Sequence, residues 1–213
     1  MKRLPRSFYT RNTTDVALDL LGCHIISNAG AIKTGGVIVE AEAYIGEDDE
    51  ACHAHPGPTA RNLIMYGKAG LLYVYFTYGM YNMLNIITER PGIPAAVLIR
   101  AIEPVYNIDE MANRRNTKNL YEISSGPGKL TQALGITIEH KGADLCGSNI
   151  YVKGPRKNKI EIMASSRVGI GNRWNKKLWR FFIRDNPHVS KVPKVIRQNV
   201  FELDKARKMG FTL

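Results

Sequence analysis

The feature that most constrains this chain is an alternating stretch that carries two carboxylates and a tyrosine. From residue 37 to residue 44, one set of alternate side chains is wholly apolar, and the other set is Ile38, Glu40, Glu42 and Tyr44. A period of two is typical of a β-strand whose successive side chains point to opposite faces. Strands disfavour Glu, so two of them on one face indicate placement for chemistry. From the residues alone, Glu40 and Glu42 are equal candidates for a catalytic carboxylate. The structural alternative is that they form a salt bridge at the edge of the strand.

A second stretch, over residues 71–85, supplies aromatic rings. The same alternation places Tyr73 and Tyr75 on one face of a strand, and a turn follows at Tyr78 and Gly79. We expect the rings to converge near one end of the sheet, where a flat purine would fit between them.

The remaining segments predict short elements around these two stretches. The pattern predicts a loop over 45–68, a hairpin whose basic tip joins strands at 151–153 and 160–163, and a last strand at 179–183. Helices are predicted from 13 to Gly22, over 109–119, after Gly126 and over 195–207; further strands are predicted over 23–27, 71–76, 83–88 and 95–102. With no internal repeat and no long linker, we expect one α+β domain over residues 1–213, with a curved antiparallel sheet core and peripheral helices.

Five blocks of the sequence together resemble a known family. They are VEAEAYIGEDDEACH, GLLYVYFTYGMYNMLNI, AVLIRAIEP, SSGPGKLTQALGI, and SRVGIGN followed by KLWRFFIRD. In order and spacing they are similar to the alkyladenine DNA glycosylases, also called 3-methyladenine or N-methylpurine DNA glycosylases. The resemblance covers nearly the whole chain and implies a monofunctional enzyme of base excision repair. Such an enzyme flips a damaged purine, such as 3-methyladenine, out of duplex DNA and hydrolyses its N-glycosidic bond with a Glu-activated water, leaving an abasic site.

The resemblance also assigns roles to individual residues. It selects Glu42 as the general base and implies that Arg100 and the backbone carbonyl of Val168 hold that carboxylate and the attacking water. The further positions that it implies are Tyr44, His53, Tyr75 and Asn85 for the base pocket, Tyr78 for intercalation, and Arg61, Asn62 and Lys129 for the DNA backbone.

Charge points to the same class of partner. The 213 residues carry 30 Lys plus Arg against 19 Asp plus Glu, a formal net charge of +11, which favours a polyanion. The N-terminus has no apolar segment after its basic residues, and no stretch approaches the roughly 18 apolar residues of a membrane span. We therefore expect a monomer that is DNA-associated and intracellular, in the cytoplasm or nucleoid, with no membrane partner and double-stranded DNA with damaged purines as its substrate.

Two other function classes would use some of the same residues. A basic nucleic-acid-binding module without catalysis would use the tyrosines as stacking platforms. A metal-dependent hydrolase could be built on His53, His55 and the neighbouring acidic residues, since alternate histidines can ligate zinc. This segment is loop-like and the family that the chain resembles uses no metal, so we expect neither a metal nor another cofactor. Three widely spaced cysteines, without a CxxC pair, are interpreted as free thiols.

Overall fold

A computed structural model describes residues 1–77, 79–155, 160–171 and 177–208 and contains a single sheet of nine antiparallel strands. The strands are β1 (His24–Ser27), β2 (Thr34–Ile45), β3 (Leu72–Thr77), β4 (Tyr81–Ile87), β5 (Ala95–Tyr106), β6 (Ile150–Lys153), β7 (Ile162–Ser165), β8 (Arg180–Ile183) and β9 (Val200–Glu202). The helices are α1 (Arg6–Tyr9), α2 (Thr13–Leu20), α3 (Ile108–Arg115), α4 (Pro127–Leu134), α5 (Lys194–Gln198) and α6 (Leu203–Lys208). The predicted α+β architecture is confirmed. Within the described ranges, no helix is long and apolar enough to cross a membrane.

Local sequence signals account for ends of α2 and α4, two helices that pack their buried apolar residues into the main core. The Asn12 side chain accepts a hydrogen bond from the Thr14 backbone N–H and so caps α2. Pro127 occupies the first turn of α4, where its missing N–H costs nothing, and Gly135 ends that helix with a φ of 68°.

Strand β2 is the centre of the sheet. Its neighbours follow the order β3-β4-β5-β2-β8-β7-β9, and β1 pairs with both β2 and β6. Strand β5 pairs with β2 along almost its whole length, whereas β1 pairs with residues 34–37 of β2 and β8 with residues 40–42. The two carboxylates of β2 are therefore flanked by strands on both sides.

The two faces of the sheet have different chemistry. One face contributes Ala41, Ala43, Val97, Ile99, Val74 and Leu84 to the main hydrophobic core, together with apolar residues of α2 and α4. On the other face, one row of paired residues runs across five strands: Tyr73, Asn85, Leu98, Glu42 and Arg180. Because directly paired residues of antiparallel strands share a face, the sheet itself brings this polar row together.

Two bulges disturb the alternation that the sequence predicts for β2. Between Ile38 and Glu40, β2 has one residue more than β5, and between Glu40 and Ala41, β5 has one residue more, which is Arg100. As a result Ile38 packs in the main core, and the prediction that it shares the face of the carboxylates is wrong. A bulge re-aims the side chain that it carries, and that of Arg100 points between Glu40 and Glu42.

Three predictions for the C-terminal third are also wrong. Strand β6 does not form a hairpin with β7, because it pairs with β1, and β7 pairs with β8 and β9; the predicted basic tip at 156–159 lies outside the described residues. Residues 179–183 are not the last strand, since β9 follows. Residues 195–207 do not form one helix, because β9 separates α5 from α6. Pairing with distant strands decided all three, and the local pattern does not contain that information.

Candidate active site

A cavity of about 650 Å³ opens on the polar face of the sheet. Side chains of β2, β3, β4 and β5 form its floor and two loops form its walls, one at residues 50–53 and one at residues 168–171. Its lining includes Tyr44, His53, Tyr73, Tyr75, Asn85, Arg100 and Val168. All four residues predicted for the base pocket therefore lie in one cavity.

Glu42 lies directly behind this lining and is fully buried. Its Oε1 accepts a hydrogen bond of 2.7 Å from the Val168 backbone N–H. Its Oε2 accepts one of 2.9 Å from the Tyr44 hydroxyl and one of 3.4 Å from Arg100 Nη1. The resemblance implies a role for the Val168 carbonyl, whereas the contact in the structure is made by the amide. The three partners of the carboxylate named here all line the cavity, so Glu42 lies immediately behind its floor.

Glu40 has a different set of partners. It accepts hydrogen bonds from Arg100 Nε at 2.8 Å, Arg180 Nε at 2.7 Å, and the Ser190 hydroxyl and backbone N–H at 2.9 and 2.7 Å. Burial alone would raise the pKa of Glu40, but the two guanidinium groups and the Ser190 amide outweigh it and hold that pKa below its ordinary value. Arg100 bridges the two carboxylates. Burial opposes its charge, yet Glu42 and Glu40 raise the pKa of Arg100 above its ordinary value.

The aromatic groups of the cavity are held uncharged. Burial and the Glu42 carboxylate keep the pKa of Tyr44 well above its ordinary value, although Arg167 and Arg100 act in the opposite direction. Burial, and then the charge of Arg61, lower the pKa of His53. Tyr44 is therefore a hydrogen-bond donor to Glu42, and His53 is a neutral imidazole near pH 7.

The rings of His53, Tyr73 and Tyr75, which line the cavity where the loop at residues 50–53 meets β3, contact one another. The His53 ring lies 4.5 Å from the Tyr75 ring, and the Tyr73 ring lies 5.3 Å from that of Tyr75, both measured between centroids. His53 Nδ1 and the Tyr73 hydroxyl are 2.9 Å apart, which fixes the orientation of the imidazole. The guanidinium of Arg61 lies 5.1 Å from the Tyr75 centroid. Three flat groups therefore form a rigid wall for a planar ligand.

Comparison with known proteins identifies the family. The sequence model of the methylpurine-DNA glycosylase family matches residues 7–187. The chain belongs to this family. A protein of Methanocella arvoryzae provisionally named 3-methyladenine DNA glycosylase is 48% identical over 196 residues, which cover 90% of this chain and 97% of that protein. Proteins with the same provisional name are 47% identical over 202 residues in Clostridium novyi (90% of this chain, 100% of that protein) and 44% identical over 209 residues in Chlorobaculum parvum (95% and 99%).

As a methylpurine-DNA glycosylase, the chain is an enzyme of base excision repair whose substrate is DNA. The resemblance inferred from the five sequence blocks is thereby confirmed. In this glycosylase, residues from the first and the last third of the chain meet at Glu40 and Glu42, since Ser190 lies 150 positions from Glu40 and Val168 lies 126 positions from Glu42.

The residues predicted to contact the DNA backbone differ in their surroundings. Arg61 is exposed beside the cavity wall. Lys129 forms an ion pair with Glu122, which also binds Lys191. Asn62 is only 1% exposed, and its side-chain amide is bonded to the Thr59 N–H and to the carbonyls of His53 and Gly57. Its side chain therefore organises the loop, and its contact with the DNA backbone stays a prediction. Tyr78, the predicted intercalating residue, lies outside the described residues.

Sequence reasoning missed four buried residues that support the site. Arg180 and Ser190 hold Glu40, and a second buried ion pair joins Asp49 to Arg167. A signal was present for three of them, because Asp49, Arg167 and Arg180 lie in blocks that the family resemblance had already selected. Only Ser190 lies outside those blocks, and its contact with Glu40 is defined by the fold.

The residues proposed for the metal alternative are engaged elsewhere. Both oxygens of Asp49 accept hydrogen bonds from Arg167, and His55 Nδ1 lies 2.6 Å from the Glu47 carbonyl. Over the described part of the chain, no group of three or more His, Cys, Asp or Glu side chains is arranged to hold a metal ion.

Proposed function

We propose that this glycosylase is monofunctional, accepts a damaged purine such as 3-methyladenine in the cavity, and hydrolyses its N-glycosidic bond with a water activated by Glu42. The observation that carries the proposal is the position of the Glu42 carboxylate, which is buried immediately behind the cavity floor and bonded to Tyr44, Arg100 and the Val168 amide. Hydrolysis at an anomeric carbon needs an ionised carboxylate to take a proton from water while the sugar develops oxocarbenium character.

The hydrogen bonds of Glu42 leave room for that water. An ionised carboxylate has about four lone-pair positions, and three partners occupy three of them here. No donor from the described residues occupies the fourth position, which is proposed to accept a hydrogen bond from a water. A water held there loses its proton to Glu42 as its oxygen bonds to the anomeric carbon, and the glycosidic electron pair leaves with the purine. An abasic site remains.

The cavity also fits the proposed leaving group. A volume of about 650 Å³ lies within the usual range of ligand sites, roughly 300–1,000 Å³. The 3-methyladenine and 7-methylguanine nucleotides carry a positive charge, and aromatic faces attract a desolvated cation. Because Tyr44 and His53 are uncharged, the base is not repelled by the rings that would hold it. Asn85 lies in the floor and donates to the Tyr73 carbonyl, which fixes the amide that would crowd the exocyclic amine of undamaged guanine.

The route into the duplex is proposed to be the turn between β3 and β4. Large apolar side chains near this turn are exposed, with Phe76 at 51% and Met80 at 65%. Exposed apolar groups on a hairpin tip suit insertion between base steps, and in the sequence Tyr78 falls between the end of β3 and the start of β4. Arg61 and Lys129 are proposed to bind phosphates, which would require Lys129 to exchange Glu122 for the DNA.

We further propose that the protein acts as a monomer in the cytoplasm or nucleoid. Every partner of Glu40 and Glu42 named above comes from this one chain, so catalysis would need no second copy. The runner-up function, a non-catalytic nucleic-acid-binding module, would use the rings alone and gives no role to a buried carboxylate facing them.

Base release is the experiment that tests the proposal. Duplex DNA with a single 3-methyladenine, 7-methylguanine or hypoxanthine is incubated with the protein, in the presence and absence of EDTA, and free bases are separated by chromatography. We expect a free methylated purine and an abasic strand, unchanged by EDTA. Binding without base release would favour the non-catalytic module, and loss of release in EDTA would favour the metal hydrolase.

DNA binding is tested separately by its salt dependence. For duplex DNA, log K should fall with log salt by about 0.9 for each phosphate contact. Alanine replacement of Arg61 or Lys129 should reduce the slope by about one such contact, whereas an unchanged slope would remove that residue from the interface.

A further inference from the structure

A buried ion pair outside the carboxylate cluster joins two loops of the glycosylase. Arg167 donates from Nη1 to Asp49 Oδ2 at 2.5 Å and from Nη2 to Asp49 Oδ1 at 2.7 Å, and neither side chain is exposed to solvent. Asp49 also accepts hydrogen bonds of 3.1 Å from the backbone N–H groups of Ile45 and Ala51. Each carboxylate oxygen therefore has two donors, and the geometry is the planar bidentate form that Arg makes and Lys cannot.

The guanidinium of Arg167 also contacts β2, the strand that carries the proposed general base, Glu42. Nη1 of Arg167 also donates to the Ala43 carbonyl at 2.9 Å. Its Cζ lies 4.5 Å from the centroid of the Tyr44 ring and 5.1 Å from that of the Trp179 ring. Arg167 thus fixes both the backbone between Glu42 and Tyr44 and the plane of the Tyr44 ring.

The pair joins segments that form opposite parts of the cavity lining. Asp49 is followed directly by the wall at residues 50–53, and Arg167 is followed directly by the wall at residues 168–171. The first residue of the second wall is Val168, whose N–H donates to Glu42 Oε1. A displacement of Arg167 is therefore transmitted to the Glu42 carboxylate through a single peptide unit.

Stability alone does not account for such a pair. Well-packed apolar residues of similar volume are often as stabilising as a buried ion pair, because the charges lose their hydration. Apolar residues make no directional hydrogen bonds. They therefore cannot fix the orientation of the Asp49 loop, the Arg167 loop and β2 at Ala43 relative to one another.

We propose that Asp49 and Arg167 are positioning residues for hydrolysis, which hold the Val168 amide on Glu42 and the Tyr44 ring against the flipped base. This role rests on the proposed function, because it acts through Glu42. Neither residue lines the cavity, and both act through the groups that do.

The test is the pH dependence of single-turnover excision of 7-methylguanine from duplex DNA by the wild type, by Arg167→Lys and by Asp49→Asn. The 7-methylguanine nucleotide carries a fixed charge, and its purine needs no protonation to leave. The fall in rate at low pH, called the acidic limb below, therefore reports the general base of the enzyme. The groups that face Glu42 are Arg100, Tyr44, the Val168 amide and, at longer range, Arg167 and Glu40.

We expect the acidic limb of Arg167→Lys to move up by about one pH unit, which is about a tenfold lower rate at any pH below the limb. The buried positive charge is kept, but one ammonium cannot serve both Asp49 and Ala43, so Glu42 loses a well-placed amide donor. Asn at position 49 loosens the same contact, but it also leaves the charge of Arg167 unneutralised, which acts on Glu42 in the opposite direction. The limb of Asp49→Asn should therefore move up by less than that of Arg167→Lys.

Ile25→Ala is the matched control for stability, since Ile25 is fully buried in the main core and lies away from the cavity. It should lower the melting temperature and leave the acidic limb in place. A limb that stays at its wild-type position in both Asp49→Asn and Arg167→Lys, with only the melting temperature lowered, would overturn the positioning role. Full excision by Glu42→Gln would instead overturn the proposed function, so the two failures are distinguishable.

Discussion

Two carboxylates on one strand, both fully buried, differ in what surrounds them. Glu40 has four hydrogen-bond donors, including two guanidinium groups and the Ser190 backbone amide. Among the described residues, Glu42 has three donors, all of which line the cavity. Three of the four donors to Glu40 bind its Oε1, two of them guanidinium groups, so Glu40 orients Arg100, whereas each of these donors to Glu42 belongs to the cavity lining. Arg100 connects the two, since it binds Glu40 at 2.8 Å and Glu42 at 3.4 Å.

The largest effect is expected from Glu42→Gln. The amide keeps the shape of the side chain but cannot take a proton from water, and general-base contributions are about 10²–10⁴-fold. We expect single-turnover excision to fall by about 10³-fold while the affinity for lesion DNA, measured by gel shift, stays within a few-fold of the wild type. An excision rate near that of the wild type would show that another group activates the water.

Glu40→Gln should instead act mainly on stability. It leaves the buried Arg180 without a carboxylate, and breaking a buried ion pair costs about 3–5 kcal/mol. The pKa of Glu40 lies below its ordinary value, so its stabilising contribution is present above the unfolded pKa of about 4.3 and is lost as the pH falls further. Urea unfolding of the variant should therefore show a deficit that is large at pH 7 and decreases below about pH 4. A deficit that does not change with pH would mean that the charge of Glu40 contributes nothing.

Tyr44→Phe tests a side-chain donor that binds Glu42 and not Glu40. The ring remains, but the hydroxyl donor to Glu42 Oε2 is lost. A hydrogen bond to a charged group contributes about 1.5–3 kcal/mol, so the acidic limb of excision should move up by at least about one pH unit. The control is Tyr66→Phe, whose hydroxyl binds Glu47 outside the cavity lining, and its limb should not move. If both variants keep the wild-type limb, Tyr44 serves only as a stacking surface.

The smallest effect is expected from Ser190→Ala. The variant removes one of four donors to Glu40 and leaves the Ser190 backbone N–H in place. We expect a loss of about 1 kcal/mol, or a melting temperature lower by about 2–4 °C, with excision within about threefold of the wild type. Ser125→Ala, at a partly exposed hydroxyl bound to the Tyr121 carbonyl, is the control. An excision loss as large as that of Tyr44→Phe would place Ser190 in the catalytic machinery.

The features of this site that depend on the pattern within a single strand were predictable from the sequence. Alternation on β2 and β3 was enough to predict that Glu40, Glu42 and Tyr44 share one face and that Tyr73 and Tyr75 share another strand face. It could not separate Glu40 from Glu42, because their local patterns are the same. That choice came from the family resemblance and stays a prediction.

The remaining features depend on contacts between distant segments. Arg100 reaches both carboxylates because of an extra residue in β5, and a bulge is a property of a strand pair. Arg167 and Asp49 lie 118 positions apart, and neither has a local signal of pairing. Asn62 was expected to contact the DNA backbone because the family resemblance aligns it with such a residue, and its side-chain amide is used inside its own loop. Burial decides such roles, and burial is set by the fold.

The most direct test of the difference between the two carboxylates is the pH–rate profile of single-turnover excision of 7-methylguanine by Glu42→Gln and Glu40→Gln, each corrected for its folded fraction. Glu42 alone is proposed to take the proton, so the acidic limb should be absent from the residual activity of Glu42→Gln and present in Glu40→Gln. An acidic limb that persists in Glu42→Gln, or that disappears in Glu40→Gln, would contradict the assignment of Glu42 as the base.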